Sequence, residues 1–128
     1  MAIAKGTIKH NNWDEKPYHE ANGQKSTTAD IQCVFDGDLK AKAQTNFLMQ
    51  YPNDKKAHYT GYLLVDGELG GKQGTFMIHE VGTWDGTAHS SWEIVEGSGT
   101  GALAGISGKG SYAAERDQSV HYTLTYDL

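Results

Sequence analysis

A single cysteine, Cys33, stands in a chain of 128 residues, so no internal disulfide can form and nothing points to an oxidising compartment. No stretch approaches the ~20 apolar residues of a membrane helix. The N-terminus, Met1-Ala2-Ile3-Ala4-Lys5-Gly6-Thr7, lacks the apolar core of a signal peptide. These absences lead one to expect a cytoplasmic protein. Basic charge is also scarce: 11 Lys and Arg face 16 Asp and Glu, a net charge of −5. That balance repels phosphate backbones and anionic lipid, so neither nucleic acid nor membrane is an expected partner. Helical capping and heptad patterns are missing. No repeat, low-complexity tail or linker divides the chain, and residues 1–128 read as one domain, long enough to bury a core without disulfides.

What is abundant is alternation. Leu39, Ala41, Ala43, Thr45, Phe47, Met49 and Tyr51 alternate with Lys40, Lys42, Gln44, Asn46, Leu48 and Gln50. A strand sends those two sets to opposite faces, one dry and one wet. Ile31, Cys33 and Phe35 repeat the pattern, as do Trp92 and Ile94, and Val120, Tyr122, Leu124 and Tyr126, the last set opposed by Ser119, His121, Thr123 and Thr125. Sixteen glycines and two prolines suit many tight turns. Asp36-Gly37 and Asp85-Gly86 read as hairpin turns, with further turns at Pro52-Asn53-Asp54 and Gly70-Gly71. Asp66-Gly67 is ambiguous between a turn and a bulge, because the pattern runs on through Leu69. The expected strands span roughly 3–10, 27–36, 39–51, 57–69, 74–83, 88–96, 108–114 and 119–127.

Two segments break the rhythm. Residues Asn11 to Gln24 read as a loop across one mouth. The glycine-rich stretch Gly97 to Gly108 reads as a compact loop with one helical turn, tucked in by Leu103 and Ile106. About eight strands, each with one dry face, leave two exposed edges in an open sheet. Closing the sheet removes the edges and buries the dry faces together. The expected fold is therefore all-β, a single closed antiparallel barrel of about eight strands, with a two-sheet sandwich as the runner-up.

Several motifs occur in order along nearly the whole chain: Trp13-Asp14-Glu15-Lys16-Pro17-Tyr18, Phe35-Asp36-Gly37-Asp38-Leu39, Leu69-Gly70-Gly71-Lys72-Gln73-Gly74-Thr75-Phe76, Gly82-Thr83-Trp84-Asp85-Gly86, the Gly97 to Gly108 stretch and Tyr122-Thr123-Leu124-Thr125-Tyr126-Asp127. Together they resemble a bacterial family of small proteins, domain of unknown function 3224. The resemblance implies an eight-stranded barrel similar to plant allene oxide cyclase and dirigent proteins, which bind apolar small molecules and steer cyclisation or coupling. It carries the fold and no established chemistry.

Among single residues, Glu80 is the most informative. It follows Phe76 and Ile78 in phase, so an inward Phe76 places a carboxylate among apolar side chains. Desolvation there raises a carboxyl pKa and suits general acid or base work. The bland alternative puts Glu80 wet at the barrel mouth, and the phase of Met77 and Val81 also permits the opposite assignment of faces. Tyr59, Tyr122 and Tyr126 could orient a ligand but more often supply packing area, the hydroxyl resting on a backbone partner. Cys33 reads as an inert buried hydrophobe with no histidine on its face. His10, His19, His58, His79, His89 and His121 read as solvated surface; no metal-ligand spacing appears within one element, and no metal or cofactor is expected. The glycine-rich loop lacks the Gly-Lys-Ser/Thr ending of a phosphate loop.

Three functions follow. The first is a barrel binding a small apolar ligand, lined by Cys33, Phe35, Phe47, Met49, Tyr59, Leu63, Phe76, Ile78, Trp92 and Tyr122, with Ile31, Ile94 and Leu124 alongside. The second is an isomerase, cyclase or eliminase using Glu80 as general acid or base. The third is a non-catalytic assembly module, a homodimer joined through the wet-phase apolar residues Val34, Leu48, Tyr62 and Leu64.

Overall fold

The computed structural model describes residues 1–115 and 120–128. Its eight strands are β1 (Ala2–Ala21), β2 (Gln24–Gly37), β3 (Leu39–Asn53), β4 (Lys56–Leu69), β5 (Lys72–Trp84), β6 (Thr87–Ile94), β7 (Ser107–Glu115) and β8 (Val120–Asp127). Each pairs antiparallel with the next, and β8 pairs back onto β1 from Ala2↔Tyr126 to Ile8↔Val120, so the sheet closes into a ring. Ser119, expected at the start of the last strand, lies outside the described residues. Among the described residues no helix is long and apolar enough to cross a membrane.

Alternation dictates this closure. Along β3 every residue of the set Leu39, Ala41, Ala43, Thr45, Phe47 and Met49 is buried, and every intervening residue from Lys40 to Gln50 is exposed. Such a ribbon is stable only when its dry face meets other dry faces. The ring supplies them: Ile31, Cys33, Phe35, Leu63, Val65, Phe76, Ile78, Trp92, Ile94, Tyr122 and Leu124 join one interior cluster. Each large side chain taken from water there contributes about 1.5–3 kcal/mol before the entropy of ordering it. Val34, Leu48, Tyr62 and Leu64 point outward and are exposed.

The two ends of the ring differ. At one end lie Leu39, Leu69 and Phe76, and here the loop after β6 folds in a short 3-10 turn, Gly101–Leu103, that drives Leu103 and Ile106 into the interior. Thr100 clamps that loop to β5: its backbone N–H donates to the Thr75 carbonyl at 2.8 Å, and the Thr75 N–H donates to its hydroxyl at 3.1 Å. Gly74 permits the approach, because a Cβ there would collide with the Thr100 carbonyl. The expected compact loop with one helical turn is what forms.

The segment from Asn11 to Gln24 is corrected by the structure. It is not a loop but the outer half of a long β1–β2 hairpin, turned at Asn22-Gly23, both at positive φ (56° and 76°). An Asn-Gly pair adopts this conformation cheaply and matches the twist of the flanking strands. Asp66-Gly67 forms neither a turn nor a bulge. Pairing of β4 with both neighbours runs unbroken through Gly67, which instead lies tight against Ala41.

Candidate functional site

The end of the ring opposite the glycine-rich loop is not filled. It holds a cavity of about 280 Å³ lined by His10, Trp13, Phe47, Met49, Tyr51, Ala57, Tyr59, Trp84, Ala88, Tyr112, Ala114 and Val120. The space arises because small residues, Ala57, Ala88 and Ala114, occupy inward positions on β4, β6 and β7 where bulk would close it. The wall is shaped by a bulge in β1. Between Asn11 and Asp14 the register against β2 shifts and Asn12 sits at φ 50°, which re-aims the chain so that Trp13 borders the cavity. Trp13 and Tyr112 flank the His10 ring at centroid distances of 6.3 and 6.1 Å.

Beneath the cavity lies Glu80. It is 1% exposed, which settles its face: Phe76, Ile78 and Glu80 all point inward. Its Oε1 accepts a hydrogen bond from Trp92 Nε1–H at 2.6 Å; its Oε2 accepts from the Ser90 and Tyr112 hydroxyls, each at 2.9 Å. The Tyr59 hydroxyl meets Ser90 Oγ in turn. Since Ser90 spends its proton on Glu80, Tyr59 donates to Ser90, and a chain Tyr59–Ser90–Glu80 results. Burial pushes the Glu80 carboxyl above its ordinary value, and the bonds from Trp92, Tyr112 and Ser90 oppose that push without cancelling it. Burial and the Glu80 charge likewise raise the Tyr112 phenol. Among the described residues every lysine is exposed, so no cation is buried to pair with Glu80.

Tyr59 reaches Ser90 by lying across Gly82, its cross-strand partner on β5; a Cβ at Gly82 would overlap the phenol ring. Tyr59 and Tyr112 therefore belong to two structures at once. Their side chains line the cavity, and their hydroxyls end in the Glu80 network.

A second carboxylate stands at the rim. Glu15 Oε2 accepts from the Thr27 hydroxyl at 2.7 Å and the Tyr51 hydroxyl at 2.6 Å, and its Oε1 accepts from Trp13 Nε1–H at 3.1 Å. Partial burial raises its carboxyl, but the bonds from Tyr51, Thr27 and Trp13, with the nearby Lys25 ammonium, outweigh it and hold the group below the ordinary value. Lys25 Nζ lies 4.6 Å from the centroid of the Tyr51 ring.

The expected ligand-binding residues divide. Phe47, Met49 and Tyr59 line the cavity; Cys33, Phe35, Leu63, Phe76, Ile78, Trp92 and Tyr122 are buried in the packed interior away from it. Tyr122 rests its hydroxyl on backbone, accepting from the Leu39 N–H at 3.1 Å and donating to the Asp36 carbonyl at 3.3 Å. Glu80 does not border the cavity itself and touches it only through Tyr59 and Tyr112. Two histidine expectations are corrected. His10 is not solvated surface: it continues the inward phase of Ala4 and Ile8 and lines the cavity. It also pairs across strands with Cys33, so a histidine does share that face. Cys33 remains inert, because burial and the Glu80 charge push its thiol up to about 12. Sequence reasoning passed over Glu15, Trp13, Tyr51, Trp84 and Tyr112 as site residues. The usable signals were the inward phase of Tyr51 and the Asn22-Gly23 turn, which makes a strand of the segment carrying Trp13 and Glu15.

Among the described residues no three His, Cys, Asp or Glu side chains gather as a metal site would require. Comparison with curated proteins gives no match. Comparison with solved structures gives a protein of unknown function from the DUF3224 family of Shewanella oneidensis MR-1, with TM-score 0.81 and 22% sequence identity over 100% of this chain and 98% of that one. At that identity the likeness speaks for the fold alone. The model of the family described as protein of unknown function (DUF3224) matches residues 4–126, and with nearly the whole chain covered, the protein belongs to the DUF3224 family.

Proposed function

We propose that the protein binds one small, largely apolar molecule in the cavity at the open end of the ring, which we read as an allene oxide cyclase-like barrel. The observation that carries this reading is the cavity of about 280 Å³ in a molecule whose other end is packed solid. Interiors of small closed sheets are normally filled by side chains, and unfilled apolar space costs stability unless something occupies it. The lining is aromatic and aliphatic with few polar groups, the usual make-up of a small-ligand site.

Toluene is a suitable probe, since apolar cavities of this kind take up small aromatics. Methyl NMR signals of Ala57, Ala88, Ala114 and Met49 should shift on titration, and Ala88→Leu, which fills the space, should abolish the shifts. Unmoved methyl signals at saturating toluene would overturn the reading.

A second reading is favoured by one specific observation, the linkage of Tyr59 and Tyr112 to Glu80. A ligand proton taken up by Tyr59 as its own proton passes to Ser90, and Ser90's to Glu80, moves charge from cavity to carboxyl without moving a heavy atom far. In this reading the phenols touch the ligand and Glu80 stores the proton, as an isomerase, cyclase or eliminase acting without a cofactor would need. Cyclohexanone in D₂O should exchange its α-protons faster with the protein than with the Tyr112→Phe or Glu80→Gln variants. Equal exchange with all three would remove the catalytic reading and leave binding intact.

A further inference from the structure

The cavity's electrostatics narrow the ligand class, an argument that rests on the binding reading above. Six of its lining side chains are aromatic: Trp13, Phe47, Tyr51, Tyr59, Trp84 and Tyr112. Aromatic faces carry negative potential and attract cations, most strongly when these are desolvated. Two of these phenols, Tyr51 and Tyr112, donate their protons to carboxylates, which leaves their rings richer in electron density. The site is thus an aromatic box with a carboxylate behind one wall and another at its rim.

The remaining ionisable groups agree. From β1 come His10, which burial holds below its ordinary value and hence neutral at pH 7, and Glu15, ionised there. From β2 come Cys33, behind the wall, and Lys25, exposed at the rim; β3 supplies Tyr51, β4 Tyr59, β5 Glu80 and β7 Tyr112. β6 contributes Ser90 and Trp92 to the Glu80 network, and neither ionises in the accessible range. From β8, Tyr122 packs its ring on Trp92 and points its hydroxyl to backbone, while Val120 lines the space. Among the described residues no lysine or arginine lines the cavity. Lys25 shows what the rim attracts, since its ammonium already rests on the Tyr51 ring.

We propose that the cavity selects an organic cation, an alkylated ammonium head on a small apolar body. Alkylation matters because a bare ammonium is strongly hydrated and gives up its water at high cost, whereas a trimethylammonium head presents methyl groups to the rings and spreads its charge over them. A ligand carboxylate or phosphate would meet the Glu15 anion with like charge, and among the described lining residues no cation offsets it.

Choline and its uncharged carbon isostere 3,3-dimethylbutan-1-ol separate charge from shape. Binding is followed by tryptophan fluorescence and by the indole N–H signal of Trp13. Choline should bind about five- to tenfold more tightly than the isostere. The preference should shrink in Glu15→Gln, which keeps the shape of the rim, and in Trp13→Leu, which removes an exposed aromatic wall. Isostere binding equal to or tighter than choline would overturn the inference, as would a choline preference untouched by both variants. If toluene shifts the lining methyl signals while choline gains nothing over the isostere, only the cation claim fails. If toluene and both alcohols fail, binding itself fails.

Discussion

Glu15 and Glu80 are held by the same kinds of donor: an indole N–H, a phenol and an aliphatic hydroxyl. Their carboxyls nevertheless move in opposite directions, Glu15 below its ordinary value and Glu80 above it. Hydrogen bonds therefore do not decide the charge state here. Water does. At the rim Glu15 keeps much of its solvation, so three bonds and a neighbouring ammonium exceed the burial cost. Under the cavity floor Glu80 has surrendered nearly all of its solvation, and three good bonds do not repay that loss. The same chemistry thus yields a fixed anion at the mouth and a titratable reservoir at the base.

The sharpest way to break this comparison is to delete each carboxylate. Glu80→Ala leaves the Trp92 indole, the Ser90 hydroxyl and the Tyr112 hydroxyl without their acceptor in a dry interior. Stability should fall by about 3–5 kcal/mol, the range for stripping a buried polar cluster of one member. Glu15→Ala frees a matching set of donors, but Trp13 and Tyr51 reach solvent that can replace the acceptor and only Thr27 is buried, so the loss should be smaller, about 1–2 kcal/mol. Urea unfolding of both variants measures the difference. Equal losses would mean that the two sites share one environment.

Much of this arrangement was legible in the residues, and where it was not, the cause is local. Parity tied Glu80 to the face of Phe76 and Ile78 but left that face open, because Met77 and Val81 on the other side of the strand are large and apolar too; the structure buries the first set and exposes the second. The same parity applied from Ala4 through Ile8 would have placed His10 inside. It was overlooked because β1 is weakly alternating and Gly6 leaves a gap in the dry set. Trp13 could not be placed by parity at all, because the bulge at Asn12 resets the phase just before it. Glu15 was hidden for the same reason. Alternation also cannot tell a filled interior from a hollow one: Phe76 and Phe47 read alike, yet only Phe47 borders the cavity. The volume left over depends on which small residues face each other across the ring, and Ala57, Ala88 and Ala114 are far apart in sequence.

A smaller disturbance tests the link from cavity to Glu80. Gly82→Ala puts a methyl group where the Tyr59 ring lies. The ring must shift, at a cost of about 1–3 kcal/mol for an overpacked site. The Tyr59 hydroxyl should then leave Ser90, while Tyr112 keeps its bond to Glu80. The Tyr59 hydroxyl proton, visible by NMR only while it is protected, should disappear. A protected proton in the variant would show that Gly82 does not set the position of Tyr59.

The finest test is the pH dependence of stability, where the two acids pull in opposite senses. A carboxyl whose folded value is raised is favoured when protonated, so Glu80 contributes stability below the ordinary value of 4.5 that is lost as pH rises through its folded value. Glu15, with its folded value depressed, contributes stability above the ordinary value that is lost as pH falls through its folded value. Replacing each by glutamine should remove one limb and spare the other. Glu80→Gln should flatten the decline in urea midpoint on the alkaline side of 4.5, and Glu15→Gln should flatten the decline on the acid side. An alkaline limb unchanged in Glu80→Gln would mean that its three bonds do repay its lost hydration, and the contrast between rim and base would vanish.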